Sequence, residues 1–212
     1  MTTDPAADLR GGSVADEIRR RRLVVVLRRV EPQSRLIELV DELAEAGAGI
    51  FEITFDAPSA ADDVATLQDQ LADPGLLVGA GTLLNAEQLG AAIEAGADFG
   101  VSPVHNFALA RAAVEAGLPF IPGAFTPTEM LSAWSAGATF VKLFPASAVG
   151  PQLIREVRGP LPQIEVIPTG GVDASNAEAF LQAGAAAVGI GSALVRASAG
   201  ERRDLVARLA RR

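Results

Sequence analysis

The feature that most constrains the fold of this chain is an Ala-Gly step that recurs after helical sequence and before short apolar runs. The step ends at Gly47, Gly96, Gly117, Gly137 and Gly184. These glycines are separated by about one or two multiples of a unit slightly over twenty residues long. A glycine just after a helix supplies the left-handed cap that turns the chain into the next strand. The repeat therefore predicts alternating β and α units around a parallel sheet.

Eight short apolar runs fit this repeat and are predicted strands. They lie near 23–27, 50–54, 77–81, 99–101, 120–122, 140–143, 165–168 and 187–190. Eight βα units in 212 residues predict a compact (β/α)8 TIM barrel, an α/β fold. We expect one domain over residues 13–212, with a short helix beginning near Ser13, and a disordered tail over residues 1–12. An open doubly wound sheet is the alternative, but the first strand lacks the Gly-x-Gly-x-x-Gly loop typical of that fold.

Composition removes several classes of function. A net charge of −8 argues against nucleic acid as a partner. The chain has no cysteine and one histidine, His105, so thiolate and multi-histidine metal sites are not expected, nor is ordinary histidine-dependent triad chemistry. We expect no cofactor and no metal. With no long apolar stretch and no signal-peptide pattern, a cytoplasmic protein without a membrane partner is expected.

One lysine, Lys142, stands among 18 basic side chains, and it lies in the apolar run 138–146. Arginine provides charge, but it does not lose its proton at working pH and so cannot act as a nucleophilic amine. Lysine can attack a carbonyl to form a Schiff base, and an apolar surrounding disfavours its ammonium form. A snorkelling lysine at a strand end is the structural alternative.

Polar residues stand at the predicted C-terminal ends of the strands, where barrel enzymes place their active sites. Glu52 lies inside the second strand, and a carboxylate there is costly unless it is paired or neutral. We interpret it as a general acid/base beside Lys142. The structural alternative is an ion pair across the barrel, for example with Arg28. Thr82 and Thr169 end the third and seventh strands.

Glycine-rich loops follow the seventh and eighth strands. They contain Gly170 and Gly171 in the first loop and Gly191 and Ser192 in the second. Such loops, with exposed backbone N–H groups at a helix start, form the phosphate site of many barrels. An interior lysine, an interior glutamate and a phosphate site together predict a Schiff-base lyase acting on a phosphorylated keto compound.

Ordered motifs along the chain resemble the 2-keto-3-deoxy-6-phosphogluconate (KDPG) / 4-hydroxy-2-oxoglutarate (KHG) aldolase family of class I aldolases. The main ones are FEIT at 51–54, VGAGTLLN at 78–85, VKLFPA at 141–146, PTGGV at 168–172 and GIGS at 189–192. The resemblance runs from about Leu23 to Val195. It implies cleavage of a phosphorylated keto acid to pyruvate and glyceraldehyde 3-phosphate by a cytoplasmic homotrimer that needs no metal.

The resemblance also implies individual roles. Lys142 matches the Schiff-base lysine and Glu52 the general acid/base. Thr82, Phe144 and Thr169 match pocket residues around the pyruvyl group, and Arg28 matches a substrate-binding arginine at the end of the first strand. Among the loop residues, Gly170, Gly171 and Ser192 match phosphate-binding positions.

One position departs from the family pattern and leaves the substrate open. Many members carry an arginine where this chain has Asp56. The run 147–152 resembles the galactonate-specific branch, so the C4 epimer of the substrate, 2-keto-3-deoxy-6-phosphogalactonate, is the alternative to KDPG. A non-aldolase phosphate-binding barrel enzyme and a catalytically silent scaffold are further alternatives.

Overall fold

A computed structural model describes residues 12–70 and 75–210. The predicted tail lies outside the described residues except for Gly12. The strands are β1 (Leu23–Leu27), β2 (Ile50–Thr54), β3 (Leu77–Gly81), β4 (Gly100–Val101), β5 (Phe120–Ile121), β6 (Gly123–Ala124), β7 (Val141–Leu143), β8 (Val166–Pro168) and β9 (Val188–Ile190). The α-helices are α1 (Ser13–Arg21), α2 (Gln33–Glu45), α3 (Ala60–Gln70), α4 (Ala86–Glu94), α5 (Phe107–Glu115), α6 (Pro127–Ser135), α7 (Gly150–Arg158), α8 (Ala177–Gln182), α9 (Ser192–Arg196) and α10 (Ala199–Ala210), with a 3₁₀ turn at Ala146–Ala148.

The Ala-Gly repeat ends helices as predicted. All five of its glycines have a positive φ, between 76° and 103°. Each donates its backbone N–H to the carbonyl three residues earlier, as in Gly47 to Ala44 and Gly184 to Leu181. A side chain at these positions would be strained, so glycine is what lets each helix turn into the following strand.

The strands pair in parallel, but their hydrogen-bond ladder does not close. The predicted single eight-stranded barrel is therefore not formed by the strand pairing. One curled sheet has the order β5-β4-β3-β2-β1-β9, and a second has the order β6-β7-β8. The predicted fifth strand is split because Pro122 has no N–H to donate to a ladder. Between β8 and β9 there is an isolated bridge, Thr169 with Gly189. The structure thus shows an α/β fold built on a curled six-stranded parallel sheet.

Alternate residues of each strand pack on opposite sides of the sheets, as the two-residue period requires. In β1, Leu23, Val25 and Leu27 join the large core between strands and helices. Val24 instead joins an inner cluster enclosed by the strands, together with Ile50, Phe99, Val101, Ile121, Phe140, Ile167 and Ala187. Helix α1 closes one end of this interior with the buried side chains of Ala15 and Ile18. The opposite end, where the strands terminate, is left for polar groups.

No helix among the described residues is long and apolar enough to cross a membrane.

Candidate active site

The lysine and the glutamate singled out from the sequence meet inside the molecule. Lys142 Nζ lies 3.3 Å from Glu52 Oε1, and the two side chains are 7% and 3% exposed. Lys142 projects from β7 and Glu52 from β2, so the ion pair joins the two sheets. The lysine is buried, so the alternative of a snorkelling side chain was wrong. Glu52 does form an ion pair across the interior, but its partner is Lys142 rather than Arg28.

Space for the glutamate comes from a glycine on the neighbouring strand. A Cβ placed on Gly81 of β3 would overlap Glu52 Oε1 and lie 2.6 Å from its Cγ. A Cβ on Gly189 of β9 would similarly lie 3.1 Å from Thr169 Cβ and overlap its hydroxyl. Both glycines therefore provide volume that the interior polar side chains fill.

A cavity of about 440 Å³ opens above this pair. Its wall includes most of the predicted site residues, namely Arg28, Lys142, Phe144, Thr169, Gly170, Gly171, Gly191 and Ser192. The Lys142 ammonium lies 5.7 Å from the centre of the Phe144 ring, within the range of a cation–π contact. Glu52 lies deeper and lines, with Lys142 and Thr169, a void of about 10 Å³, roughly the size of one water.

Thr82 is the predicted residue that the structure places neither in the wall of this cavity nor in the void beside Glu52. It follows β3, it is half-buried, and its φ of 58° is in the left-handed region. Non-glycine residues adopt that conformation rarely, and such strain concentrates at functional sites. Thr82 remains next to Gly81, on the side of the site that holds Glu52.

The first glycine-rich loop is shaped by close packing against the segment after β7. Gly170 has a φ of 86°, and a Cβ there would lie 3.0 Å from the Phe144 ring. The chain beyond Phe144 is fastened to the loop, since Ala146 N donates to Thr169 O at 2.9 Å and Ser147 N to Gly170 O at 3.0 Å. Within the described part of the chain, no backbone acceptor is bonded to the N–H group of Gly171. This N–H group is therefore available to an anion.

The two loops differ in how a helix follows them. Helix α9 begins directly at Ser192, as predicted. After Gly171, however, helix α8 begins only at Ala177, because the Asp173 side chain forms a separate turn with Ser175. The helix predicted to follow this loop is therefore present, and it begins six residues beyond Gly171.

Asp56, the residue that departs from the family pattern, is held at the rim of the cavity in a small polar cluster. Its carboxylate accepts a 2.7 Å hydrogen bond from Thr54 Oγ1 and lies 3.3 Å from Arg29 Nε and 3.8 Å from Arg28 Nε. Arg28 is more than half exposed and also lines the cavity. Asp56 is thus turned toward two arginines, and its negative charge is offset before a substrate arrives.

Two charged residues of the cavity wall were not identified from the sequence. Asp173 lines the wall, and hydrogen bonds from the Ser175 side chain and backbone hold the pKa of its carboxyl below the usual range. Arg196 at the end of α9 also lines the wall and donates from Nη2 to Ser192 Oγ at 3.2 Å. The helical spacing of Arg196 and Ser192, four residues apart, was the signal that could have identified the arginine.

His105 lies outside the cavity, in the loop between β4 and α5, where Nε2 is 3.0 Å from Ser132 Oγ. Among the described residues, no group of three or more His, Cys, Asp or Glu side chains is arranged to hold a metal ion.

The fold and the site together define an enzyme of the parallel α/β class. A buried amine and carboxylate lie beneath a cavity at the C-terminal ends of parallel strands, where such proteins carry out chemistry. Comparison with known proteins narrows the class. Residues 14–210 match the KDPG and KHG aldolase family, and the chain belongs to this family of aldolases, which are lyases.

Individual relatives agree with this assignment. The chain is 36% identical over 176 residues to the 2-dehydro-3-deoxy-6-phosphogalactonate aldolase of Escherichia coli strain K12, covering 82% of this chain and 85% of the relative. It is 33% identical over 169 residues to the 2-dehydro-3-deoxy-phosphogluconate aldolase of Haemophilus influenzae, covering 79% and 78%. The structure is also similar to KDPG aldolase from Legionella pneumophila, solved with pyruvate captured as a covalent carbinolamine. That comparison has a TM-score of 0.80 at 27% identity and covers 99% of this chain and 98% of the other.

Proposed function

We propose that this aldolase works through a Schiff base on Lys142 and cleaves 2-keto-3-deoxy-6-phosphogluconate to pyruvate and glyceraldehyde 3-phosphate. The observation that carries the proposal is the buried contact of 3.3 Å between Lys142 Nζ and Glu52 Oε1 beneath the cavity. The nucleophile and its proton partner are within reach of each other, which is the geometric requirement for an activated amine. The Legionella structure supports it, because pyruvate is covalently bound in that relative.

The first half of the reaction forms the imine. Glu52 accepts a proton from the Lys142 ammonium, and the resulting amine attacks the C2 ketone of the substrate to give a carbinolamine. Glu52 returns this proton to the C2 oxygen and then relays a second proton to it from the attacking nitrogen. The oxygen leaves as water, and an iminium forms between Nζ and C2. The positive iminium nitrogen then withdraws electrons from the substrate chain.

The second half breaks the carbon–carbon bond. Through an intervening water, the Glu52 carboxylate removes the proton of the C4 hydroxyl, and the C3–C4 bond breaks as C4 becomes an aldehyde. The bonding pair becomes the C2–C3 double bond of an enamine, and the iminium is neutralised. Protonation of C3 regenerates an iminium, and water hydrolyses it to pyruvate and free Lys142. Thr82 and Thr169 would orient the pyruvyl group, with Phe144 against its face.

The remaining groups bind the ends of the substrate. Gly170, Gly171, Gly191 and Ser192 are proposed to bind the phosphate, and Arg28 the carboxylate. Binding energy gathered at these distant ends can position the reacting bond.

The C4 epimer, 2-keto-3-deoxy-6-phosphogalactonate, is the second candidate substrate. The relative at 36% identity carries that name, and the one at 33% carries the phosphogluconate name. A side-by-side cleavage assay with both epimers and with 4-hydroxy-2-oxoglutarate, with pyruvate release as the readout, separates the candidates. The substrate with the higher kcat/KM is assigned, and equal values would show that C4 configuration is not discriminated.

Trapping tests the Schiff base directly. The protein is incubated with pyruvate and borohydride and its intact mass is measured. One reduced pyruvyl adduct is expected, and it should be absent from Lys142→Arg. Because Lys142 is the only lysine, the α-amino group is the single other amine to exclude. A wild-type protein without an adduct would falsify the mechanism.

A homotrimer is proposed as the working assembly. On the described surface, large apolar side chains are exposed at Leu84, Ile93, Val104, Phe107, Phe125 and Leu131, four of them in loops that follow strands or in helix α6. The His105–Ser132 contact links the segment before α5 to α6. Exposed apolar side chains on such segments are what a contact with a second copy would bury. Light scattering on the wild type and on Phe107→Ser tests the proposal. A wild-type mass of one chain would contradict it.

A further inference from the structure

Helix α9 ends in Arg196, a cationic side chain in the cavity wall. Neither the family motifs nor the first glycine-rich loop explains the role of this side chain. We propose that Arg196 binds the substrate phosphate together with Ser192, and so makes the enzyme selective for phosphorylated substrates over 4-hydroxy-2-oxoglutarate. This inference rests on the proposed function, and it assigns a specificity-determining residue within that site.

The first observation is position. Arg196 lines the same cavity as Lys142, together with Gly170, Gly171 and Ser192. Lys142 fixes the C2 end of a substrate, so the phosphate at C6 lies at the far end of the chain. Arg196 contacts Ser192, and because Ser192 is proposed above to bind the phosphate, we assign Arg196 to the phosphate end of the cavity.

The second observation is the hydrogen bonding between the two side chains. Arg196 Nη2 donates to Ser192 Oγ at 3.2 Å. A serine oxygen that accepts this bond still has its own O–H to donate. A guanidinium carries five N–H donors in a planar fork, so the others remain available to phosphate oxygens. The pair would then present donors from two side chains to the same anion.

The third observation is charge. Within the described residues, no carboxylate lies within 4.0 Å of the Arg196 guanidinium, whereas Arg28 has Asp56 nearby. Asp173 also lines the cavity, but its carboxylate oxygen already accepts from Ser175 N at 2.8 Å and Ser175 Oγ at 2.6 Å. In a chain of net charge −8, a cation without a carboxylate partner at a cavity rim attracts an anionic ligand.

The expected effect follows from the exposure of the pair. Both Arg196 and Ser192 are exposed, so solvent and salt weaken their interaction with an anion. For an exposed pair, loss of one hydrogen bond to a charged group corresponds to about a tenfold change in affinity.

The test compares Arg196→Gln with the wild type on two substrates and one probe. For 2-keto-3-deoxy-6-phosphogluconate or its faster C4 epimer, we expect KM to rise about tenfold with kcat little changed. With 4-hydroxy-2-oxoglutarate, which has no phosphate, KM and kcat should stay within about twofold. Binding of inorganic phosphate, measured by calorimetry, should weaken by the same factor and lose part of its dependence on salt.

Matched variants separate this role from general damage. Arg203→Gln removes another exposed arginine, one on α10 that does not line the cavity, and should leave all these values unchanged. Arg196→Lys should recover part of the loss because it retains the charge without the planar fork. An Arg196→Gln enzyme with wild-type phosphate binding and a wild-type KM for the phosphorylated substrate would overturn the proposal, as would an equal loss on both substrates.

Failure of the Arg196 proposal can be distinguished from failure of the proposed Schiff-base function. Pyruvate trapping reports on Lys142 and should be the same in the wild type and in Arg196→Gln. If the wild type forms no adduct, the Schiff-base mechanism fails. The calorimetric comparison with inorganic phosphate still decides whether Arg196 binds an anion.

Discussion

Gly81→Ala is expected to inactivate the enzyme by moving a carboxylate that the mutation does not replace. The added Cβ would overlap Glu52 Oε1 and lie 2.6 Å from Cγ and 2.7 Å from Cδ. Ordinary van der Waals contact begins near 3.4 Å, so the carboxylate has to move by about 1 Å. Glu52 is 3.3 Å from Lys142 Nζ, and such a displacement ends their hydrogen bond.

The magnitude follows from positioning and packing. A misplacement of about 1 Å at reacting groups costs on the order of 100-fold in rate. Overpacking a close-packed interior costs about 1–3 kcal/mol in the free energy of unfolding. We therefore expect a folded but less stable protein whose kcat falls about 100-fold. Urea unfolding gives the stability, and pyruvate release gives the rate.

Two glycine variants serve as controls. Gly79→Ala is on the same strand, two residues earlier, and its Cβ would lie 2.6 Å from Cδ2 of the Phe99 ring rather than near the carboxylate. It should lose a similar amount of stability but keep its kcat. Gly90→Ala, on helix α4, has no atom within 4 Å of the new Cβ and should be stabilised by about 0.5–1 kcal/mol. If Gly81→Ala turns over like the wild type, or if Gly79→Ala is equally inactive, the carboxylate position does not control the rate.

Four further substitutions test other parts of the molecule. Glu52→Gln should slow turnover far more than it reduces pyruvate trapping; unchanged turnover would remove Glu52 from the mechanism. Asp56→Asn removes the counter-charge of two exposed arginines, so urea unfolding should change by less than about 1 kcal/mol, whereas KM should shift at constant kcat. Thr126→Ala breaks the capping box that begins α6 and should cost about 1 kcal/mol in the free energy of unfolding. The N–H groups of Phe125 and Thr126 hold the pKa of Glu129 below its usual range. The ionised Glu129 side chain therefore stabilises the fold fully above its unfolded pKa of about 4.3, and this stabilisation is lost as pH falls through its folded pKa. The difference in the free energy of unfolding between the wild type and Glu129→Gln should become smaller in acid.

The strand positions followed from the sequence because the local signals agree with the packing. Glycines after helices and apolar runs before the next helix are both short-range features, and each predicted run overlaps an observed strand. The closure of the sheet is a long-range property, and it did not follow. Pro122 interrupts the fifth predicted strand, and the contact of β8 with β9 is reduced to the bridge at Thr169.

The interior of the site was more predictable than its rim. Side chains on a strand alternate in direction, so Lys142 and Glu52 had to point inward once their neighbours packed outward. Rim side chains leave loops or helix ends, and their directions depend on tertiary contacts that a sequence pattern does not encode. The orientation of Asp56 toward Arg28 and Arg29, and of Arg196 toward Ser192, became apparent only from the structure.

Strand glycines connect the fold to the chemistry. Protein interiors are close-packed, so a charged side chain placed inside needs volume as well as a partner. Glu52 occupies the space beside Gly81, and Thr169 occupies the space beside Gly189. A glycine within a strand lowers the free energy of unfolding by about 0.5–1 kcal/mol relative to alanine, and it has no side chain whose packing could offset this loss. A strand glycine next to an interior acid is therefore a signal of a site in its own right, and in this chain the run Gly79-Ala80-Gly81 marks the strand that lies against the catalytic glutamate proposed for the enzyme.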